Sequence, residues 1–180
     1  DRLHAAGVRM VGIAHWFQND FFVDPAEPQH TNQEPRRLDD LTVLSEKGRA
    51  LIRRMIEKQM IIDVSHLRRA AFDEVVALNA DRTPLVASHS NARALCDVPR
   101  NLDDSQILAI AKTGGLIGVC LHQPLLVSDG ERRATVVDVV DHIDHLKRVA
   151  GVAHVAIGTD FEGGITSPSG LGRFEDLANI

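Results

Sequence analysis

The 180-residue sequence has few cysteines, no excess of positive charge and no long hydrophobic run. Cys96 and Cys120 are too few for a disulfide framework, and neither belongs to a CxxC motif. The formal net charge of −5 gives no support for binding nucleic acid or an anionic membrane surface. No apolar stretch reaches the length of a transmembrane helix. The hydrophobic content of 44% is ordinary for a soluble globular chain, and the length fits one domain.

The most informative stretch is 60–91, in which two short apolar runs each stop at a histidine. The first run, MIIDVSH, ends at His66, and the second, PLVASH, ends at His89. Between them, apolar residues recur with a period close to 3.6, which predicts a helix over 67–78. Strand, helix and strand form a βαβ unit with parallel strands, whose carboxyl ends meet at one edge. We therefore expect His66 and His89 to be able to ligate one metal ion.

The rest of the chain alternates in the same way. Predicted strands cover 7–15, 60–66, 84–89, 116–121 and 155–158, predicted helices cover 41–59, 67–78, 103–112 and 136–150, and 16–40 is predicted to be a long loop. Alternating strands and helices without antiparallel hairpins predict an α/β architecture with a parallel sheet. A complete (β/α)₈ barrel needs about 250 residues. The five predicted strands fit either a small open sheet or the carboxyl-terminal part of a barrel.

All five predicted strands end in a polar side chain. These residues are His15, His66, His89, His122 and Asp160. Neutral imidazole binds Zn²⁺ readily, so we expect at least two of the histidines to share a metal. A turn or cap residue is the alternative for the aspartate.

For several other polar residues, a structural explanation competes with a functional role. Arg100 follows the second histidine and could hold a substrate carboxylate through a bidentate contact, with a surface arginine as the alternative. His142 and His145 lie at i, i+3 on a predicted helix without an HExxH signature, which favours a solvated helix face. His30 and the remaining histidines lie near loops or element ends.

Six motifs occur in one order along the chain. They are IDVSH ending at His66, ASHSNAR around His89, PRNL around Arg100, GGLIGV over 114–119, DVVDHID over 138–144 and GTDFEG around Asp160. In this combination they resemble the membrane dipeptidase family, also called renal dipeptidase or peptidase family M19, over nearly the whole chain. The resemblance implies a (β/α)₈ TIM barrel of the metal-dependent hydrolase type, with two zinc ions, that hydrolyses dipeptides.

The resemblance also implies a role for each matching residue. His66 and His89 match the two histidine ligands of the second zinc ion. His15 matches a histidine that binds substrate and polarises the scissile carbonyl or stabilises its oxyanion. Arg100 matches the arginine that holds the substrate carboxylate, and Asp160 matches the aspartate that transfers protons. His122 has no counterpart in this set.

The chain departs from the family pattern in its metal ligands. The family's first zinc ion uses an amino-terminal His-x-Asp pair on a strand and a bridging glutamate, and no predicted strand of this sequence carries a His-x-Asp pair or ends in a glutamate. Cys120 stands where the family often has asparagine, and Glu162 stands where it has a second aspartate. We therefore expect 1–180 to be a single domain of about five βα units, the last five strands of a barrel. Alone it is expected to hold at most one weak two-histidine zinc site and to lack useful dipeptidase activity.

Two other functions stay open. One is a different metal-dependent hydrolase on the same barrel, acting on an amide, a lactone or a deaminase substrate. The other is a barrel without metals that serves as a binding or structural module. The expected partner is a dipeptide and not a nucleic acid, a homodimer is left open, and the first three strands are expected from the parent chain or another polypeptide. The segment is expected to be soluble, in a parent that is cytoplasmic or exported.

Overall fold

A computed structural model describes residues 1–24, 39–128 and 132–180. They divide into two compact units, Asp1–Val86 and Ala87–Ile180. The single domain over 1–180 therefore stays a prediction. Part of the predicted loop 16–40 and His30 lie outside the described residues. Within the described ranges, no helix is both long enough and apolar enough to cross a membrane.

The first unit alternates strands and helices. In chain order its elements are α1 (Arg2–Ala5), β1 (Met10–Gly12), β2 (Phe22–Val23), β3 (Val43–Leu44), α2 (Glu46–Glu57), β4 (Ile61–Asp63), α3 (Arg69–Asn79) and the first two residues of β5 (Leu85–Ala87). Strand β4 pairs in parallel with both β1 and β5, which confirms the predicted βαβ unit. Strands β2 and β3 pair antiparallel, with Phe22 opposite Leu44. The prediction of a chain without antiparallel pairs is therefore wrong at this point.

Helix α2 starts later than the pattern predicts, because the chain first forms β3 and then meets a strong N-cap. The Ser45 Oγ accepts a hydrogen bond from the Gly48 N–H at 3.1 Å, which satisfies one of the unpaired donors of the first turn. The Phe21 carbonyl lies so close to Gly48 that a Cβ atom there would overlap it. The large side chains fully buried in this unit are Phe22, Leu44, Ile52, Ile62, Phe72 and Leu85.

The second unit continues the α/β pattern. Its elements are α4 (Asp104–Lys112), β6 (Leu116–Val119), α5 (Val136–Ala150) and β7 (Val155–Ile157), with 3₁₀ turns at Gln123–Leu125, Val152–His154, Phe161–Gly163 and Phe174–Asn179. Strands β6 and β7 pair in parallel, and α4 and α5 pack on each other and on β6. The predicted α/β class with parallel strands is confirmed.

Both helices of the second unit begin with a capping box. Asp103 accepts a hydrogen bond from the Gln106 N–H at 3.0 Å, and the Gln106 side chain accepts one from the Asp103 N–H at 3.1 Å. At α5 the Asp138 carboxylate accepts hydrogen bonds from the Thr135 N–H and hydroxyl. These caps satisfy backbone donors that a helix leaves unpaired at its start, so the helix bounds follow from the sequence.

Candidate active site

The first unit brings together two of the predicted site residues. The rings of His15 and His66 lie with their centroids 4.6 Å apart and their planes inclined by 42°. Trp16 lies edge-on to His66, with a centroid distance of 5.1 Å. His66 is only 8% exposed, whereas His15 lies at the surface. A buried imidazole next to an exposed one and an indole forms a compact aromatic corner, and imidazole is a type of side chain that can bind a metal or donate a hydrogen bond.

His66 occupies an unusual backbone conformation just after β4. Its φ of 68° lies in the left-handed region, which residues other than glycine rarely adopt. Directly before it, the Ser65 N–H donates to Asp63 Oδ1 at 3.0 Å, which forms a local turn at the strand end. A left-handed residue that is not glycine costs about 1–3 kcal/mol and is typical of functional sites. The turn therefore places His66 in a defined backbone conformation three residues after the end of β4.

In the second unit, His89 follows a backbone that is tightly packed on β6 and the end of β7. The Ser88 carbonyl oxygen lies so close to Gly118 and Gly158 that a Cβ atom on either glycine would overlap it. The Ser90 N–H donates to the Gly118 carbonyl at 2.8 Å. The Ser88 hydroxyl lies 2.7 Å from His89 Nδ1. When Nδ1–H donates to this hydroxyl, Nε2 carries the lone pair, which is the state in which imidazole binds a metal.

Arg100 is a buried arginine next to this histidine, and the alternative of a surface arginine is wrong. It is 5% exposed, because its guanidinium turns inward toward the segment that carries His89. One terminal nitrogen donates to Ser90 Oγ and the other to the His89 carbonyl, both at 2.7 Å. A buried cation fixed at two points is pre-organised to bind an anionic group, since little side-chain freedom is left to lose.

Asp160 follows β7 and borders an open cavity. Its φ of 59° is also left-handed, and Gly163 lies so close to its carboxylate that a Cβ atom there would overlap it. The cavity has a volume of about 750 Å³, and Arg173 and Phe174 contribute to its wall. Burial lowers the pKa of nearby His122, the Asp160 charge raises it, and Arg100 lowers it. Burial raises the pKa of Cys120 to about 11, so this thiol stays protonated at neutral pH.

The two helix histidines are buried, so the predicted solvated face of α5 is wrong. His142 is 1% and His145 is 8% exposed. The buried residues of α5 are these two histidines together with Val139 and Leu146. His145 lies 2.7 Å from Asp104 Oδ1, and Arg148 donates to its Nδ1 at 3.1 Å. These hydrogen bonds offset the cost of burying two polar rings. The pattern of hydrophobic residues does not indicate that the histidines are buried.

The candidate metal ligands, His66 and His89, fit part of a zinc site. Imidazole nitrogen is a usual zinc ligand, and a catalytic zinc site usually has three protein ligands. Among the described residues, no group of three or more His, Cys, Asp or Glu side chains could hold a metal ion. His66 and His89 belong to different compact units, and their shared metal stays a prediction.

The structure groups the predicted residues within each unit. His15 lies with His66, and His89 lies with Arg100, while Asp160 and Arg100 both act on the pKa of His122. Sequence reasoning missed several residues that position them. Those residues are Trp16, Ser90, Gly118, Gly158 and His142. Four of these five lie inside the motifs ASHSNAR, GGLIGV, DVVDHID and GTDFEG, which were the available signal.

Comparison with known proteins gives one family. A family model described as membrane dipeptidase (peptidase family M19) matches residues 1–180. A protein of Klebsiella pneumoniae, described only as an uncharacterized protein in the pqqA 5' region, is 39% identical over 98% of this chain and 63% of its own length. A protein of Aspergillus oryzae named dipeptidase aclJ is 31% identical over 97% of this chain and 39% of its own length.

Solved structures agree with this match. A metallopeptidase from Rhodobacter sphaeroides, bound to a phosphinate mimic of the dipeptide L-Ala-D-Ala, is 32% identical with a TM-score of 0.82. The likeness covers 99% of this chain and 49% of that one. The chain thus spans about half the length of this solved relative, which agrees with the predicted partial barrel.

Proposed function

Because the chain belongs to the membrane dipeptidase family, peptidase family M19, we propose that the whole protein is a zinc-dependent dipeptidase. The observation that supports this most directly is the buried guanidinium of Arg100, which is bonded to the carbonyl of His89. A fixed cation beside a candidate metal ligand suits a short substrate with a free carboxylate close to its scissile bond. The chain covers only part of its relatives, so this activity is proposed for the whole protein.

Each site residue has one proposed task. His66 and His89 would hold a zinc ion, which when bound lowers the pKa of a water toward 7. Arg100 binds the substrate carboxylate and sets the distance to the scissile bond. His15 donates a hydrogen bond to the carbonyl oxygen as negative charge develops on it. Asp160 accepts a proton from the attacking water and passes it to the leaving amine.

Geometry within each unit supports these tasks. His15 is exposed, so a substrate can reach it, and its ring packs against that of His66. Asp160 lines an open cavity and begins the turn that ends at Gly163, whose N–H donates to the Asp160 carbonyl at 2.9 Å. A group that transfers protons must reach the substrate, and an exposed or cavity-lining side chain can do so.

A substrate panel tests the proposal. The purified whole protein is incubated with a dipeptide, its carboxyl-terminal amide, a tripeptide and a cyclic amide, before and after chelation. We expect hydrolysis of the free dipeptide alone, loss of activity on chelation and recovery with Zn²⁺. Failure to cleave any dipeptide after zinc is restored would overturn the proposal, and cleavage of the cyclic amide instead would favour another metal-dependent hydrolase.

The 180-residue chain alone gives a second test. We expect no useful dipeptide turnover from it, because no group of three or more metal-ligand side chains is present among the described residues. Turnover by the isolated chain that depends on added zinc would show that the described residues are sufficient and that this expectation is wrong.

A further inference from the structure

The DVVDHID motif has no role in the proposed reaction, yet one of its residues reaches the segment that carries Arg100. We propose that His142 is a positioning residue: it anchors segment 91–102 to the turn at Leu126 and so holds Arg100 in place. This inference rests on the proposed function only for what Arg100 binds. The anchoring itself stands on the contacts within the second unit.

Both ring nitrogens of His142 are used. Its Nδ1 lies 3.1 Å from the Ala92 N–H, and its Nε2 lies 3.1 Å from the Leu126 carbonyl oxygen. A backbone N–H can only donate and a carbonyl can only accept, so the proton is on Nε2 and the ring is neutral. Burial lowers the pKa of His142, which supports the neutral state. The ring is thus a two-point bridge between two backbone segments.

The Ala92 end of this bridge is rigidly connected to Arg100. The Arg93 N–H donates to the Leu102 carbonyl at 2.8 Å, and the Leu102 N–H donates to the Asn91 carbonyl at 2.9 Å. These bonds close the segment into a loop, and Arg100 lies two residues before its end. The Arg100 guanidinium then returns to Ser90 at the loop's beginning. Fixing Ala92 therefore fixes the base of the loop that holds the guanidinium.

The Leu126 end is equally well fixed. The side-chain amides of Asn91 and Asn101 both donate to the Leu125 carbonyl, at 3.1 and 2.9 Å. Asn91 also donates to the Cys120 carbonyl and accepts from the Cys120 N–H, at 3.0 and 2.9 Å. The amides of Asn91 and Asn101 and the His142 imidazole, all nearly inaccessible to solvent, thus converge on two successive carbonyls. Buried networks of this kind specify one arrangement, because every broken bond leaves an unsatisfied polar group.

Variants of His142 in the whole protein test the anchor. His142→Leu removes both hydrogen bonds, and His142→Asn retains an acceptor for the Ala92 N–H. His145→Leu is the matched control, because this histidine is also buried on α5 but is bonded to Asp104 and Arg148. Two quantities are measured: amide hydrogen exchange across 91–102, and KM and kcat for a dipeptide and its carboxyl-terminal amide.

We expect His142→Leu to increase exchange at Ala92 and Leu102 by on the order of tenfold or more. It should raise KM for the free dipeptide by about tenfold with a smaller change in kcat, and His142→Asn should recover part of both effects. The control should leave loop exchange and KM near the native values. If His142→Leu does not fold, the comparison of His142→Asn with His145→Leu decides.

Two results would overturn the inference: native exchange across 91–102 in the His142 variants, or equal acceleration in the His145→Leu control. A raised KM that is the same for dipeptide and amide would also count against positioning of Arg100. If the native protein cleaves no dipeptide, the proposed function fails, and the exchange data still decide whether His142 anchors the loop.

Discussion

The imidazole of exposed His15 lies against the imidazole of buried His66, with a centroid distance of 4.6 Å. The left-handed backbone of His66 holds its ring in this corner. The pair therefore combines a buried candidate ligand with a neighbour that a substrate can reach.

The first prediction concerns metal binding by the 180-residue chain. We expect at most one zinc ion per chain, bound weakly, and less zinc in His66→Ala, because that change removes a candidate ligand. His154→Ala is the control, since His154 Nδ1 is bonded to the Gly115 carbonyl. Elemental analysis after purification without chelator measures the ratio. Two zinc ions per chain, or unchanged zinc in His66→Ala, would contradict this prediction.

The second prediction concerns Arg100 in the whole protein. Arg100→Lys retains the charge but loses the planar fork, so KM for a dipeptide should rise by about tenfold or more. The carboxyl-terminal amide of the same dipeptide should bind weakly to both proteins and show little difference. Steady-state kinetics with the two substrates measure the effect. An unchanged KM for the free dipeptide would exclude Arg100 as the carboxylate ligand.

Arg100 also has a structural role that a second substitution, to alanine, reveals. Its two donors satisfy Ser90 Oγ and the His89 carbonyl in a buried region. Arg100→Ala should therefore lower the free energy of unfolding by about 1–3 kcal/mol. Urea unfolding measures this loss, so that a kinetic defect is not mistaken for partial unfolding.

The element pattern could be predicted from the sequence because local rules and tertiary packing agree there. Helix α5 runs over Val136–Ala150 as predicted, since Thr135 caps it and Gly151 ends it. The burial of its two histidines could not be predicted, because His142 and His145 are polar and their partners Ala92 and Asp104 lie 50 and 41 residues away in sequence. Hydrophobic periodicity does not detect burial that depends on hydrogen bonds.

The same distinction applies to the candidate site. The positions of His66, His89 and Asp160 just after strands could be predicted from the apolar runs that precede them, and their functional roles stay predictions. The burial of Arg100 could not, because its partners Ser90 and His89 lie ten or eleven residues earlier and only the folded loop brings them close.

The third prediction concerns the two glycines under the Ser88 carbonyl. Gly118→Ala and Gly158→Ala each introduce a Cβ that overlaps this oxygen, so each should destabilise the fold by about 1–3 kcal/mol. Gly172→Ala is the control, because its new Cβ would meet only an ordinary contact with Asp176. Urea unfolding measures all three. If Gly118→Ala and Gly158→Ala both keep the native stability, the Ser88 carbonyl can move away from these glycines at little cost, and the prediction is wrong.

The fourth prediction concerns the ion pair at the start of α5. Arg132 donates to both oxygens of Asp138, at 2.6 and 2.9 Å, and Thr135 donates to one of them. The Arg132 bond and the Thr135 bonds hold the pKa of Asp138 below its usual 3.8, against the opposing effect of burial. At pH 7 the charge is present in both folded and unfolded chains, and only the folded chain stabilises it. Asp138→Asn should therefore lower the free energy of unfolding by about 1 kcal/mol.

The sign of the pH dependence follows from that depressed pKa. As the pH falls below 3.8, the unfolded carboxyl takes up a proton before the folded one does, so the native protein loses its advantage over Asp138→Asn. The difference in unfolding free energy should shrink between pH 7 and pH 3. Asp141→Asn, at an exposed position on the same helix, should show little difference at either pH. A difference for Asp138→Asn that stays constant or grows on acidification would mean that the folded carboxylate is not stabilised by Arg132.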